Sequence, residues 1–175
     1  MSNDTCLATC DPLESPFFVS LSSIAPQTVE VVVKVSSIRI LLADDVESWR
    51  SSISSMLRTE ASFEVVYETS DGLKAVQAAQ KLQPAVVLLD IGLPGLNGIQ
   101  AGAWIRKVSP FAKIVFVTME RDPDIVEAAW RLGARGYVLK SDAGRELVAV
   151  IHSVVRGEKV LSHGLDGHRF IDGVE

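Results

Sequence analysis

The chain has 175 residues, 47% of them apolar and 22% charged, with a net charge of −5; these are the proportions of a globular domain with its own core, not of a disordered chain. An acidic balance argues against the basic footprint that binding bare nucleic acid leaves, and no run of about 18 apolar residues offers a membrane span. The amino terminus, Met1-Ser2-Asn3-Asp4, lacks the positive region of a secretory signal, so a cytoplasmic location is expected.

Residues 1–36 differ from the rest of the chain. They are rich in Ser, Thr and Val, carry Pro12, Pro16 and Pro26, and show no helical period. They read as a flexible N-terminal extension, although the β-branched run TVEVVVKV (28–35) has strand character. Cys6 and Cys10 lie in this leader and the three histidines, His152, His163 and His168, at the far end. That separation reads as free thiols and not as a metal site.

From residue 37 the pattern becomes regular. SIRILLAD (37–44) reads as a buried strand that ends in carboxylates. Val46, Trp49, Ile53, Met56 and Leu57 then recur at helical spacing. FEVVYET (63–69) is a second strand. Ser70-Asp71 caps a helix expected to carry Leu73, Val76 and Ala79 inward. AVVLL (85–89) is the third strand, and residues 98–107, with Ile99, Trp104 and Ile105, form a helix that ends before Ser109-Pro110. AKIVFVT (112–118) is the fourth strand. Asp122-Pro123 starts a helix, a capping side chain followed by proline at the first helical position, and that helix stops at Gly133. RGYVLK (135–140) is the fifth strand, and Asp142 caps a last helix with Leu147, Val150, Ile151 and Val154 on one face, closed by Gly157.

Five short apolar strands alternating with five helices imply parallel pairing with helices on both faces. The carboxyl ends of parallel strands share one edge, where ligands bind. To that edge the first strand delivers Asp44 and Asp45, the third Asp90, the fourth Thr118 and the fifth Lys140. Two carboxylates 4 Å apart repel by ~4 kcal/mol at an effective dielectric near 20, so three of them need protons or a cation. An all-oxygen set with room for phosphate suits Mg²⁺. Beside it Asp90 stays ionised and can attack phosphorus. The Lys140 ammonium then neutralises phosphoryl charge and the Thr118 hydroxyl donates to a phosphoryl oxygen.

The motifs LLADD (41–45), LLDIGLPGLNG (88–98), VTM (117–119) and GYVLK (136–140) together resemble the receiver domain of bacterial two-component response regulators, over residues 37–158. The resemblance implies an α/β, flavodoxin-like (βα)5 doubly wound parallel sheet of strand order 2-1-3-4-5. It implies Asp90 as phosphoacceptor, fed by a histidine kinase, with Mg²⁺ held by Asp44, Asp45, Asp90 and the backbone carbonyl of Gly92. It further implies Thr118 and Tyr137 as a switch pair, with Tyr137 turning inward, and Gly92 and Glu120 as positions that set the hydrolysis rate. The protein would be a switch, not an enzyme, beyond self-catalysed phosphorylation and dephosphorylation. It would act on a downstream protein target, with a homodimer among the expected assemblies.

RGYVLKS and then ELVAVIHSVVRGEKVLSHGL resemble receivers that precede a LuxR-type helix-turn-helix. The alternative is therefore the receiver portion of a DNA-binding regulator without that domain, residues 159–175 reading as a C-terminal tail and no direct DNA binding being expected of this chain. An aspartate-nucleophile phosphatase fits less well, since it requires D-x-D after the first strand. A flavodoxin fits poorly because the first loop lacks a phosphate-cradling run of Ser, Thr and Gly.

Overall fold

A computed structural model of the chain describes residues 37–165; Cys6, Cys10, the expected strand over 28–35 and His168 lie outside the described residues. The strands are β1 (Ile38–Ala43), β2 (Phe63–Thr69), β3 (Val86–Leu89), β4 (Lys113–Thr118), β5 (Gly136–Leu139) and β6 (Val160–Leu161). The helices are α1 (Glu47–Arg58), α2 (Gly72–Leu82), α3 (Gly98–Val108), α4 (Pro123–Leu132) and α5 (Lys140–Val155), and a 3₁₀ turn spans His163–Leu165. All strand pairs are parallel, in the order β2-β1-β3-β4-β5-β6. The expected order is present and is extended at the β5 edge by a sixth strand.

Alternation along each strand sorts the core into two layers, because successive side chains leave opposite faces of a sheet. Leu41, Ala43, Val87, Leu89, Ile114, Phe116, Tyr137 and Leu139 pack with residues of α2, α3 and α4. Ile40, Leu42, Val86, Leu88, Val115, Val117 and Val138 pack against α1 and α5. All four residues of β3 are fully buried. Each such side chain contributes about 1.5–3 kcal/mol on leaving water, which makes the central strand a firm mount for the residue at its carboxyl end.

The helix ends show which sequence signals hold. Asp71 accepts from the Lys74 amide at 2.9 Å, Asp122 accepts from the Asp124 amide with Pro123 at the first helical position, and Gly133 closes α4 at φ +93°. Asn97 and Gln100 form a reciprocal capping box on α3. Two expectations fail. Asp142 does not cap the last helix: α5 starts at Lys140, directly out of β5, with no side-chain cap. The Asp142 carboxylate instead accepts from the Ser162 hydroxyl at 3.0 Å. Leu73 does not face inward either; it is 56% exposed, while Val76 and Ala79 carry the buried face of α2.

The sixth strand is built from local contacts. The Ser162 amide donates to the Tyr137 carbonyl at 2.8 Å. Its hydroxyl lies between the Asp142 and Glu146 carboxylates, and His163 Nδ1 is 2.8 Å from Glu146. Leu165 enters the same core layer as Tyr137 and Leu139.

Candidate functional site

Asp44 and Asp45 directly follow β1, and Asp90 directly follows β3. These strands pair, so the three carboxylates meet: one oxygen from each lies within 4.8 Å of the others. The backbone fixes the approach, with the Asp90 amide donating to the Ala43 carbonyl at 2.9 Å and the Asp44 amide to the Thr69 carbonyl at 3.0 Å. Asp44 and Asp90 are 3% and 6% exposed, whereas Asp45 faces solvent.

Lys140 enters from the first turn of α5. Its Nζ lies 2.7 Å from Asp44 Oδ2 and 3.1 Å from Asp90 Oδ2. The Trp49 ring of α1 covers the same ammonium at 5.6 Å, within cation–π range. Burial alone would lower the Lys140 amine, but its hydrogen bonds and charge contacts with Asp44 and Asp90 outweigh that and hold it above the ordinary lysine value. Burial pushes the Asp44 carboxyl up, with the Asp90 charge adding to it, against the lowering effect of Lys140 and the Val46 amide. Three carboxylates and one ammonium leave a formal charge of −2. A divalent cation matches both that charge and the hard oxygen donors, so the residues present fit Mg²⁺.

Thr118 ends β4, the strand beside β3, and is buried. Its Oγ1 accepts from the Glu120 amide at 3.2 Å. Tyr137 is fully buried, lies 6.2 Å from the Phe116 ring, and donates its hydroxyl to the Glu120 carbonyl at 3.0 Å. Tyr137 is thus inward in this structure, held by the Glu120 carbonyl. Burial, with the charges of Glu120 and Asp90, pushes its phenol well above the ordinary value. The Glu120 carboxylate is turned onto the amides of Arg121 and Asp122. Gly92 lies close to the reacting edge, since a Cβ there would stand 3.3 Å from Asp90 Oδ2.

Sequence reasoning missed three supporting residues. Trp49 reads only as one apolar position of a helix. Arg50 Nη1 donates to the Asp44 carbonyl at 2.6 Å, a contact across a loop that no spacing announces. Gly98 packs so closely that any Cβ would overlap the Asp90 carbonyl. Its signal was a glycine at the first turn of a helix, where glycine costs helix stability.

Comparison with known proteins agrees with this geometry. The family profile of the response regulator receiver domain matches residues 40–152. The nitrate/nitrite response regulator protein NarL of Escherichia coli K12 is 32% identical over 126 residues, covering 72% of this chain and 58% of NarL. The transcriptional regulatory protein LiaR of Bacillus subtilis is 34% identical over 130 residues, 74% of this chain and 62% of LiaR. The match therefore spans less than two thirds of either relative. A solved LuxR-family two-component response regulator from Aurantimonas superposes with a TM-score of 0.72 at 31% identity, covering 75% of this chain and 94% of the other. The likeness supports the flavodoxin-like description of the sheet.

Proposed function

The chain belongs to the response regulator receiver domain family, and from that premise we propose that Asp90 accepts a phosphoryl group from the phosphohistidine of a histidine kinase. One observation carries the reading: a carboxylate rigidly mounted at the end of β3 has two further carboxylates within 4.8 Å and a buried ammonium at 3.1 Å. Asp44, Asp45, Asp90 and the Gly92 carbonyl would hold Mg²⁺, which would screen the negative charge of the incoming phosphoryl oxygens.

An Asp90 oxygen attacks phosphorus, the phosphorus–nitrogen bond breaks, and the imidazole leaves with that electron pair and takes up a proton. Lys140, released from Asp90, pairs with a phosphoryl oxygen. Thr118 turns its hydroxyl to another, giving up the Glu120 amide, and so disturbs the carbonyl that Tyr137 holds. The change reaches a downstream protein or a second copy of the chain. Side chains at 92 and 120 set how readily water reaches the acyl phosphate; Gly92 leaves that approach open. The reaction is that of a cytoplasmic switch, with self-catalysed phosphorylation and dephosphorylation as its whole chemistry.

The greater length of NarL and LiaR, both named as regulators, favours a second reading in which this receiver governs a DNA-binding output. Incubation with acetyl phosphate and Mg²⁺ tests the phosphoacceptor reading. The expected result is a mass gain of one phosphoryl group that chelation of Mg²⁺ and Asp90→Asn each abolish. A gain that persists in Asp90→Asn rejects it.

A further inference from the structure

Residues 160–165 form a strap along the β5 edge of the sheet. β6 pairs with β5 in the register Gly136↔Val160 and Tyr137↔Leu161, and the Val160 and Ser162 amides donate to the Arg135 and Tyr137 carbonyls at 2.9 and 2.8 Å. Val160 and Leu161 leave opposite faces of the sheet and pack against the two core layers in turn. A strand of two residues is too short to hold by its backbone alone, so side chains supply the rest. Glu146 of α5 takes two consecutive strap residues, Ser162 on Oε2 at 2.9 Å and His163 on Oε1 at 2.8 Å. Leu165 closes the strap by entering the core layer of Tyr137 and Leu139.

The far end of the strap lies beside residues tied to Thr118. A Cβ on Gly164 would stand 2.8 Å from Leu139 Cδ1, 2.9 Å from Asp142 Oδ2 and 4.0 Å from Arg121 Nη1. Arg121 reaches the Ser141 hydroxyl at 3.4 Å. Its neighbour Glu120 carries two bonds of the acceptor edge: the amide donates to Thr118 Oγ1 and the carbonyl accepts from Tyr137. Tyr137 then meets the strap twice, through its carbonyl on Ser162 and through the core layer it shares with Leu165. Contacts therefore run without a break from Thr118 through Glu120 and Tyr137 to the strap. Such a chain couples two sites when its last element has two states, and a short strap has a docked one and a released one.

Resting on the acceptor role of Asp90, we propose that the strap over 160–165 reads the state of that residue: it is docked on β5 in the arrangement seen here and is released when Asp90 is phosphorylated. Phosphorylation draws the Thr118 hydroxyl from the Glu120 amide to a phosphoryl oxygen. The turn at Glu120 and Arg121, no longer tied to β4, shifts, and the contacts that Arg121 and Tyr137 offer the strap loosen with it. The docked strap and the resting bond of Thr118 thus favour one another, as linkage requires of coupled sites. Release bares the edge of β5, whose unpaired amides and carbonyls can take a strand from another chain. A covalent event at the carboxyl ends of the strands becomes a new surface at the side of the sheet.

The test is amide hydrogen exchange of the full-length protein, read at Val160 and Ser162. The Ala85 and Lys113 amides, which bond at the opposite end of the sheet, serve as the reference. Beryllofluoride with Mg²⁺, a mimic of the acyl phosphate, should speed exchange at Val160 and Ser162 about fivefold, the lower end of ordinary coupling between sites, and leave the reference amides unchanged. Ser162→Ala and Leu165→Ala loosen the strap away from the acceptor, so by reciprocity they should bind beryllofluoride more tightly, by up to the same factor. Thr118→Val withdraws the acceptor of the Glu120 amide and should speed strap exchange with no phosphoryl mimic present. Strap exchange that stays fixed, slows, or rises only in step with the reference amides overturns the proposal. So does an unchanged beryllofluoride affinity in both strap variants. Absence of beryllofluoride binding in the wild type would instead reject the acceptor reading, and Thr118→Val would still decide whether the strap answers to the switch.

Discussion

Tyr137 spans two functions with one hydroxyl: its ring fills the core beside Phe116 and its oxygen ties the Glu120 carbonyl. Removing the hydroxyl in Tyr137→Phe leaves that carbonyl without its partner, at a cost of about 1–3 kcal/mol near neutral pH. The phenol pKa in the folded protein lies above its ordinary value, chiefly through burial. The folded state therefore keeps a proton that the unfolded chain releases. The stabilisation is complete below about pH 10, the ordinary tyrosine value, and is lost as pH rises past it toward the folded value. Denaturant unfolding from pH 8 to 11 should show the wild type losing stability faster than Tyr137→Phe, so that the gap between them closes. Parallel curves would mean that Tyr137 ionises as freely when folded as when unfolded. This hydrogen bond could not be read from the sequence: the strand period places Tyr137 on an inner face, but only coordinates show where its oxygen ends.

At the scale of elements, the clearest consequences concern glycines that look alike in sequence. Gly98, in the first turn of α3, abuts the Asp90 carbonyl, whereas Gly144, on the exposed side of α5, has nothing within 4 Å of its would-be Cβ. Gly98→Ala should destabilise by about 3 kcal/mol, the upper part of the overpacking range, and should slow phosphorylation by shifting Asp90. Gly144→Ala should stabilise by about 0.5–1 kcal/mol through helix propensity. Thermal melts of the two variants check both signs; equal effects would contradict the packing described. Strands β1 to β5 were legible because each is an apolar run bounded by turn residues, and α4 because Asp122-Pro123 and Gly133 mark both ends. The start of α5 was not, because Lys140 passes from strand to helix without a loop and leaves Asp142 free to look like a cap. Leu73 fits the helical period of α2 but sits beyond the edge of the layer that α2 buries.

The whole molecule places its chemistry by topology. Because all strands run in parallel, Asp44, Asp45 and Asp90 reach one edge and Lys140 joins them from the end of β5, so the principal site residues could be inferred from strand ends alone. The residues that steady them, Trp49 and Arg50, reach across the fold and leave no local signature. Nor does β6, two residues long and recognisable only by the strand it joins. Leu165 beyond it is buried with Tyr137 and Leu139, so Leu165→Ala should cost about 2–3 kcal/mol in denaturant unfolding; an unchanged midpoint would show that residues 160–165 open independently of the domain. The central claim, that this convergence makes residue 90 the phosphoacceptor, is tested most directly by trapping the acyl phosphate. Protein phosphorylated with acetyl phosphate and Mg²⁺ is reduced with borohydride, which converts a phosphorylated aspartate to homoserine, and the peptides are weighed. The account predicts homoserine at position 90 alone; homoserine at 44 or 45, or at none of the three, would contradict it.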